Sequence, residues 1–198
     1  MNYPVKHCAV IILAAGKSGR MGSTKQLLPY NGKTLLEHAA DEAKSSEAGS
    51  VIVVLGHAAD EIIAGTHLSE VHLVKNGDWE SGVASSIIAG IKVLIREHPD
   101  TDAVLLLVSD QPYIDSALLN QIIARQQESD KPIVACEYDG GLGVPALFHK
   151  FLFSQLLALE GDAGAKKLIH QNPDLVASVE FPLGHIDVDT PDAYRNLF

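Results

Sequence analysis

The sequence predicts a three-layer α/β/α, Rossmann-like fold built on a mostly parallel sheet. Three observations carry that expectation. Short apolar runs at 7–13, 51–55 and 103–108 lack the alternation of a half-exposed strand, as expected of strands buried on both faces. Segments with helical apolar spacing separate them. A glycine-rich turn follows directly on the first run, at a strand's carboxyl end, where such sheets bind ligands.

The elements follow in order. His7 to Leu13 reads as the first strand, and the loop from Ala14 to Lys25 leaves it. Thr34-Leu-Leu-Glu37 is a capping box, in which the threonine oxygen takes an orphan helical N–H and the glutamate returns the bond. Its helix aligns Leu36, Ala39, Ala40 and Ala43. A strand at 51–55, a short helix at 59–68 and a strand at 71–75 come next. The helix at 83–95 carries Ile87, Ile88, Ile91, Leu94 and Ile95 on its apolar face. The strand at 103–108 precedes a helix at 118–127 and a strand at 133–136. From Asp139 the pattern loosens, consistent with an antiparallel strand or an excursion. Helices at 151–159 and 165–169 and a strand at 176–180 follow. Thr190-Pro191 starts a last helix, with a capping hydroxyl and proline at the first helical position.

Length and composition bound the function. The 198 residues suit one domain spanning 1–198, and 46% hydrophobic against 20% charged residues is a globular balance. A formal net charge of -10 argues against a nucleic-acid partner, which wants a basic face. A small polyanion needs only a local group of cations. No apolar run is long enough for a membrane span, and residues 1–7 lack signal-peptide order. Cys8 and Cys136 lie in apolar runs and read as buried thiols of a reducing, cytoplasmic compartment.

Chemistry concentrates in a few segments. In residues 13–29, LAAGKSGRMGSTKQLLP, Gly16, Gly19 and Gly22 recur every third position, so backbone N–H groups can turn toward an anion. Lys17, Arg20 and Lys25 add three cations suited to a triphosphate. At 4 Å each contributes up to roughly 4 kcal/mol before desolvation. The loop is neither a dinucleotide fingerprint, since Ser18 fills the second glycine position, nor a P-loop, since Leu27 fills the first glycine of a frame ending in Gly32-Lys33-Thr34. Asp110 follows six apolar residues, at the mouth of the sheet, where an aspartate can hold Mg²⁺ or merely cap a turn. Asp187-Val188-Asp189 offers partner carboxylates that face one way if the segment is extended; the alternative is that they only favour the following helix N-terminus. The Gly- and Ser-rich turn at 76–86 suits backbone contacts to a base or ribose, with Trp79 a core or rim residue. Histidine and cysteine spacings give no zinc site, and no G-x-S-x-G elbow exists.

Residues 13–29 resemble the L-A-[AG]-G-x-S-x-R-M-G-x-x-K-x-L-L-P signature of MobA-like nucleotidyltransferases. NGDWESGVASSI (76–87), SDQP (109–112), GVPALF (143–148), GDAGAKKL (161–168) and DVDTPDA (187–193) extend the resemblance over nearly the whole chain, closest to the molybdenum cofactor cytidylyltransferase branch. The resemblance implies a glycosyltransferase-A-like fold, Mg²⁺, and CMP transfer from CTP to molybdopterin. By it, Leu13, Ala14, Ala15, Gly16 and Gly19 line the nucleotide, Arg20 and Lys25 hold the triphosphate, and Gly82 and Ser86 touch base or ribose. Asp110 and Asp189 are the implied metal ligands, with Asp187 near them. Arg20, Lys25 and Asp110 are the implied catalytic group. The GTP-using branch resembles LAGG; the methyl of Ala15 favours a pyrimidine by roughly 1–3 kcal/mol. Val144 replaces the histidine of the branch's G-H-P, which leaves the acceptor open to another sugar or alditol phosphate. A non-catalytic cofactor carrier for a molybdenum hydroxylase is the alternative from another class.

Overall fold

The protein is described by a computed structural model covering residues 3–198. Its elements run β1 (Cys8–Ala14), β2 (Pro29–Tyr30), β3 (Lys33–Thr34), α1 (Leu35–Ser45), β4 (Ser50–Leu55), α2 (Ala59–Gly65), β5 (His72–Lys75), α3 (Val83–Glu97), β6 (Ala103–Val108), α4 (Ser116–Ser129), β7 (Ile133–Tyr138), β8 (Gly141–His149), α5 (Phe153–Leu157), α6 (Ala165–Gln171), β9 (Val176–Glu180) and α7 (Pro191–Arg195). Seven strands form one sheet in the order β5-β4-β1-β6-β8-β7-β9. Only β8 is antiparallel to its neighbours.

Both faces of the sheet are covered, which is why the central strands read as unbroken apolar runs. In β1, Val10, Ile12 and Ala14 pack toward α1 and α4, while Ala9 and Ile11 pack toward α3. The chain order runs outward one way through β4 and β5 and the other way from β6. The carboxyl ends of β1 and β6 therefore form a switch-point crevice.

Local signals hold at the helix starts. The Thr34 hydroxyl accepts from Glu37 N at 3.1 Å, and the Glu37 carboxylate accepts from Thr34 N at 2.7 Å. Leu36, Ala39, Ala40 and Ala43 are buried as predicted. Thr190 accepts from Ala193 N at 3.1 Å ahead of Pro191. On α3, Ile87, Ile91 and Leu94 are buried, whereas Ile95, predicted on the same face, is 44% exposed.

Several boundaries move for identifiable reasons. α2 stops at Gly65, short of the predicted 68, because the Thr66 hydroxyl donates to Ile62 O at 2.8 Å as the chain leaves the helix. α4 starts two residues early, because Asp115 caps it by accepting from Leu118 N at 2.8 Å. The predicted helix at 151–159 is a 3₁₀ turn at Lys150–Leu152 followed by the short α5. The loosened pattern after Asp139 is β8, which inserts between β6 and β7. Pro145 sits in it where the β7–β8 register shifts opposite Ala135/Cys136, so its missing N–H breaks no ladder bond.

Candidate active site

The glycine loop is strapped at both ends. Gln26, 1% exposed, donates its Nε2 to Ala14 O at 2.9 Å and to Gly16 O at 3.3 Å. The Ala15 carbonyl accepts from His57 N at 3.0 Å. The Ser18 hydroxyl accepts from Lys25 N at 3.0 Å, which folds the loop back so that Lys25 points at the sheet. Gln26 escaped the sequence reading, since nothing in K-Q-L-L marks a buried strap.

Three predicted residues from distant parts of the chain meet here. The Lys25 ammonium bonds Asp110, at the end of β6, and reaches Asp189 at 3.0 Å. Arg20, on the surface, takes the other oxygen of Asp189 at 2.7 Å. Burial alone would lower the Lys25 pKa, but Asp110 and Asp189 outweigh it and hold the ammonium above its ordinary value. Burial would raise Asp189, yet Lys25 and Arg20 keep it below the usual carboxylate range. Asp187 is pushed up to about 6 by burial and by the charges of Asp110 and Asp189. Val188 N donates to Asp110 O at 2.8 Å and its side chain is fully buried near Tyr30 and Leu35, which pins the segment to the sheet end. The segment does not meet the condition of extension under which both carboxylates would face one way: Asp189 N returns to Asp187 O at 3.1 Å, a tight turn.

The donor set fits a divalent cation. Among the described residues no three His, Cys, Asp or Glu side chains form a ready cage. Two carboxylates already share one cation, the Lys25 ammonium, and Mg²⁺ asks of a protein only one or two carboxylates, with phosphate oxygens and water completing its shell.

Beside this cluster opens a cleft of 380 Å³, in the range of small-molecule sites. Leu13, Ala14, Ala15, Gly16, Lys25 and Asp110 line it, together with Gly82 and Ser86 at the start of α3. Gly19 lies outside it, in an adjoining recess with Lys17, Gly22 and His57, because the loop doubles back at Ser18. Arg20 also lies outside it, held on Asp189. Trp79 lines the rim. A Cβ on Gly56 would come within 2.5 Å of the Trp79 Cβ and 2.7 Å of Ala15 O, so a bare backbone there lets tryptophan and loop close together. Asn76 donates to Ser85 at 2.8 Å and Ser86 at 3.0 Å, fixing the hydroxyls of α3's first turn. Asp162, arriving from the α5–α6 loop, completes the wall and had no role in the sequence reading. Cys8 and Cys136 take no part: both thiols are free, buried and pushed up to about 12.

Comparison with known proteins places the chain in a family. The model of the MobA-like NTP transferase domain matches residues 10–176. Nicotine blue oxidoreductase of Paenarthrobacter nicotinovorans is 34% identical over 205 residues, covering 94% of each chain. The crystal structure of Rv0371c from Mycobacterium tuberculosis H37Rv superposes with a TM-score of 0.83 at 33% identity, covering 98% of each chain. The structure of the same protein in complex with manganese gives a TM-score of 0.79 at 32% identity, covering 97% of this chain and 98% of that one. The chain belongs to the MobA-like NTP transferase family and is a nucleotidyltransferase.

Proposed function

We propose that this MobA-like family member, acting as one domain over residues 1–198, transfers CMP from CTP to a molybdopterin-type acceptor in the cytoplasm, with Mg²⁺ and release of pyrophosphate. The observation that carries the reading is the meeting of Lys25, Asp110 and Asp189 in one ion-pair cluster, of which Lys25 and Asp110 line the cleft. A glycine loop able to bind an anion, a cation and two carboxylates suit an in-line displacement at the α-phosphorus.

An ionised acceptor phosphate is already a nucleophile, so no serine or cysteine attacks. Lys25 and Arg20 exchange their carboxylate partners for the triphosphate and neutralise charge gathering on the leaving pyrophosphate. The Gly16 loop orients the phosphates through backbone N–H groups. Asp110 and Asp189, freed of Lys25, would hold Mg²⁺, which would supply positive charge to stabilise the phosphates in the transition state. Manganese in the Rv0371c complex supports a divalent ion in this fold. Ala15, a residue 5% exposed that lines the cleft, supports a pyrimidine over a purine. No helix among the described residues is long and apolar enough to cross a membrane.

The test is a matrix of CTP, GTP, UTP and ATP against molybdopterin and sugar or alditol phosphates, with pyrophosphate release as readout. CTP with molybdopterin and Mg²⁺ is expected to dominate. Release with a sugar phosphate alone would reassign the acceptor, and nucleotide binding without release would make the protein a carrier. The relative's name motivates one further arm, reduction of nicotine blue; turnover there without any nucleotidyl transfer would overturn the proposal.

A further inference from the structure

The cleft has two chemically different ends. One carries Lys17, Lys25 and the glycine loop beside Asp110, and suits phosphates. The other is the first turn of α3 with the α5–α6 loop laid across it. That loop is anchored by Gly161, whose carbonyl accepts from Ala84 N at 3.1 Å. The approach is close because residue 82 has no side chain: a Cβ on Gly82 would lie 2.3 Å from Gly161 O and 2.7 Å from Asp162 Oδ1. Asp162, an exposed residue, thereby lies against Gly82 and lines the cleft, and no hydrogen bond or ion pair engages it among the described residues. Ser86 stands on the same turn with its hydroxyl oxygen already accepting from Asn76, so its proton is left to donate.

We propose that Asp162 is a specificity-determining residue that accepts a hydrogen bond from the exocyclic amino group of the nucleobase, a reading that rests on nucleotide binding in this cleft. With phosphates at the cationic end, the base falls at the Gly82 end. There the wall offers a donor, Ser86, and an acceptor, Asp162. Cytosine presents the complementary pair, its O2 and its N4 amino group. Uracil presents O4 in place of the amino group, and a carboxylate facing it meets lone pair with lone pair. This sorting differs from that of Ala15, which acts on base size. Together they single out a small base that bears an amino group.

The test is calorimetric titration of the full-length protein with CTP, UTP, GTP and ATP in the presence of Mg²⁺ and without acceptor. Wild type is expected to bind CTP about ten- to hundredfold more tightly than UTP, the range for one hydrogen bond to a charged group. Asp162→Ala should shrink that ratio to about threefold or less, mainly by weakening CTP. Asp162→Asn, nearly isosteric and able to offer an N–H to O4, should shrink it through tighter UTP and covers the case of an unstable alanine variant. Equal wild-type affinity for CTP and UTP, or a ratio unmoved in both variants, would overturn the assignment while leaving nucleotide binding intact. Failure of wild type to bind any of the four would sink the nucleotide reading itself and this inference with it.

Discussion

At the scale of single residues, the site is a set of charges held apart by one another's partners. Lys25 is the pivot, since it satisfies Asp110 and Asp189 together. Lys25→Ala is expected to cut pyrophosphate release by about 10²–10³-fold, in line with loss of one preorganised electrostatic contact. Asp110→Ala should fall at least as far, and circular dichroism should report both variants folded. Near-wild-type turnover in either would remove that residue from the mechanism. Gly82 is the second sensitive point. Its φ of +100°, and a Gly161 O that would lie 2.3 Å from an added Cβ, leave no room for a methyl group. Gly82→Ala should cost about 2 kcal/mol or more, measured by urea unfolding, as strain at a special backbone position does. A variant as stable as wild type would mean that the α5–α6 loop moves aside freely.

At the scale of elements, caps and straps decide where helices begin and how loops close. Glu37 is the clearest case. Burial would raise its pKa, but the N–H groups of Thr34 and His67, each at 2.7 Å, hold it below its usual value. A lowered carboxylate contributes stability that is present above its unfolded pKa and lost as pH falls through the folded one. Glu37→Gln should therefore cost about 1 kcal/mol near pH 7. The melting-temperature gap to wild type should narrow as the pH falls below about 4. A gap that stays constant from pH 7 to pH 3 would show that the charge is not what α1 uses. This capping box was legible in the sequence because its bonds span three residues. The Gln26 strap was not, since its acceptors at Ala14 and Gly16 lie across a loop whose path no local pattern dictates.

At the scale of the whole molecule, β6 is the spine: it pairs with β1 and β8 and delivers Asp110 to the cleft. Leu105 at its centre is fully buried. Leu105→Ala should cost about 2–5 kcal/mol by leaving a cavity, and at this chain length lower the melting temperature by about 2–4 °C per kcal/mol. A smaller loss would indicate that the sheet collapses around the gap. Removal of divalent metal with a chelator should abolish pyrophosphate release without changing the melting temperature by more than about 2 °C, because hydrophobic faces and not the carboxylate pair hold the sheet together. Unfolding on chelation would make the metal structural.

By itself the sequence determined what acts over a few residues: the doubly buried strands, the capped helices, the glycine turn with its cations, and an aspartate at a strand's mouth. Each follows from steric preference, apolar period or a nearby hydrogen bond, all of which are local. Only the tertiary structure decided that β8 enters antiparallel between β6 and β7, that Asp189 shares Lys25 with Asp110, and that Asp162 comes to rest against Gly82. Those contacts join segments tens to more than a hundred positions apart. They are selected by how helices cover both faces of one sheet, a packing solution that no single stretch of chain encodes.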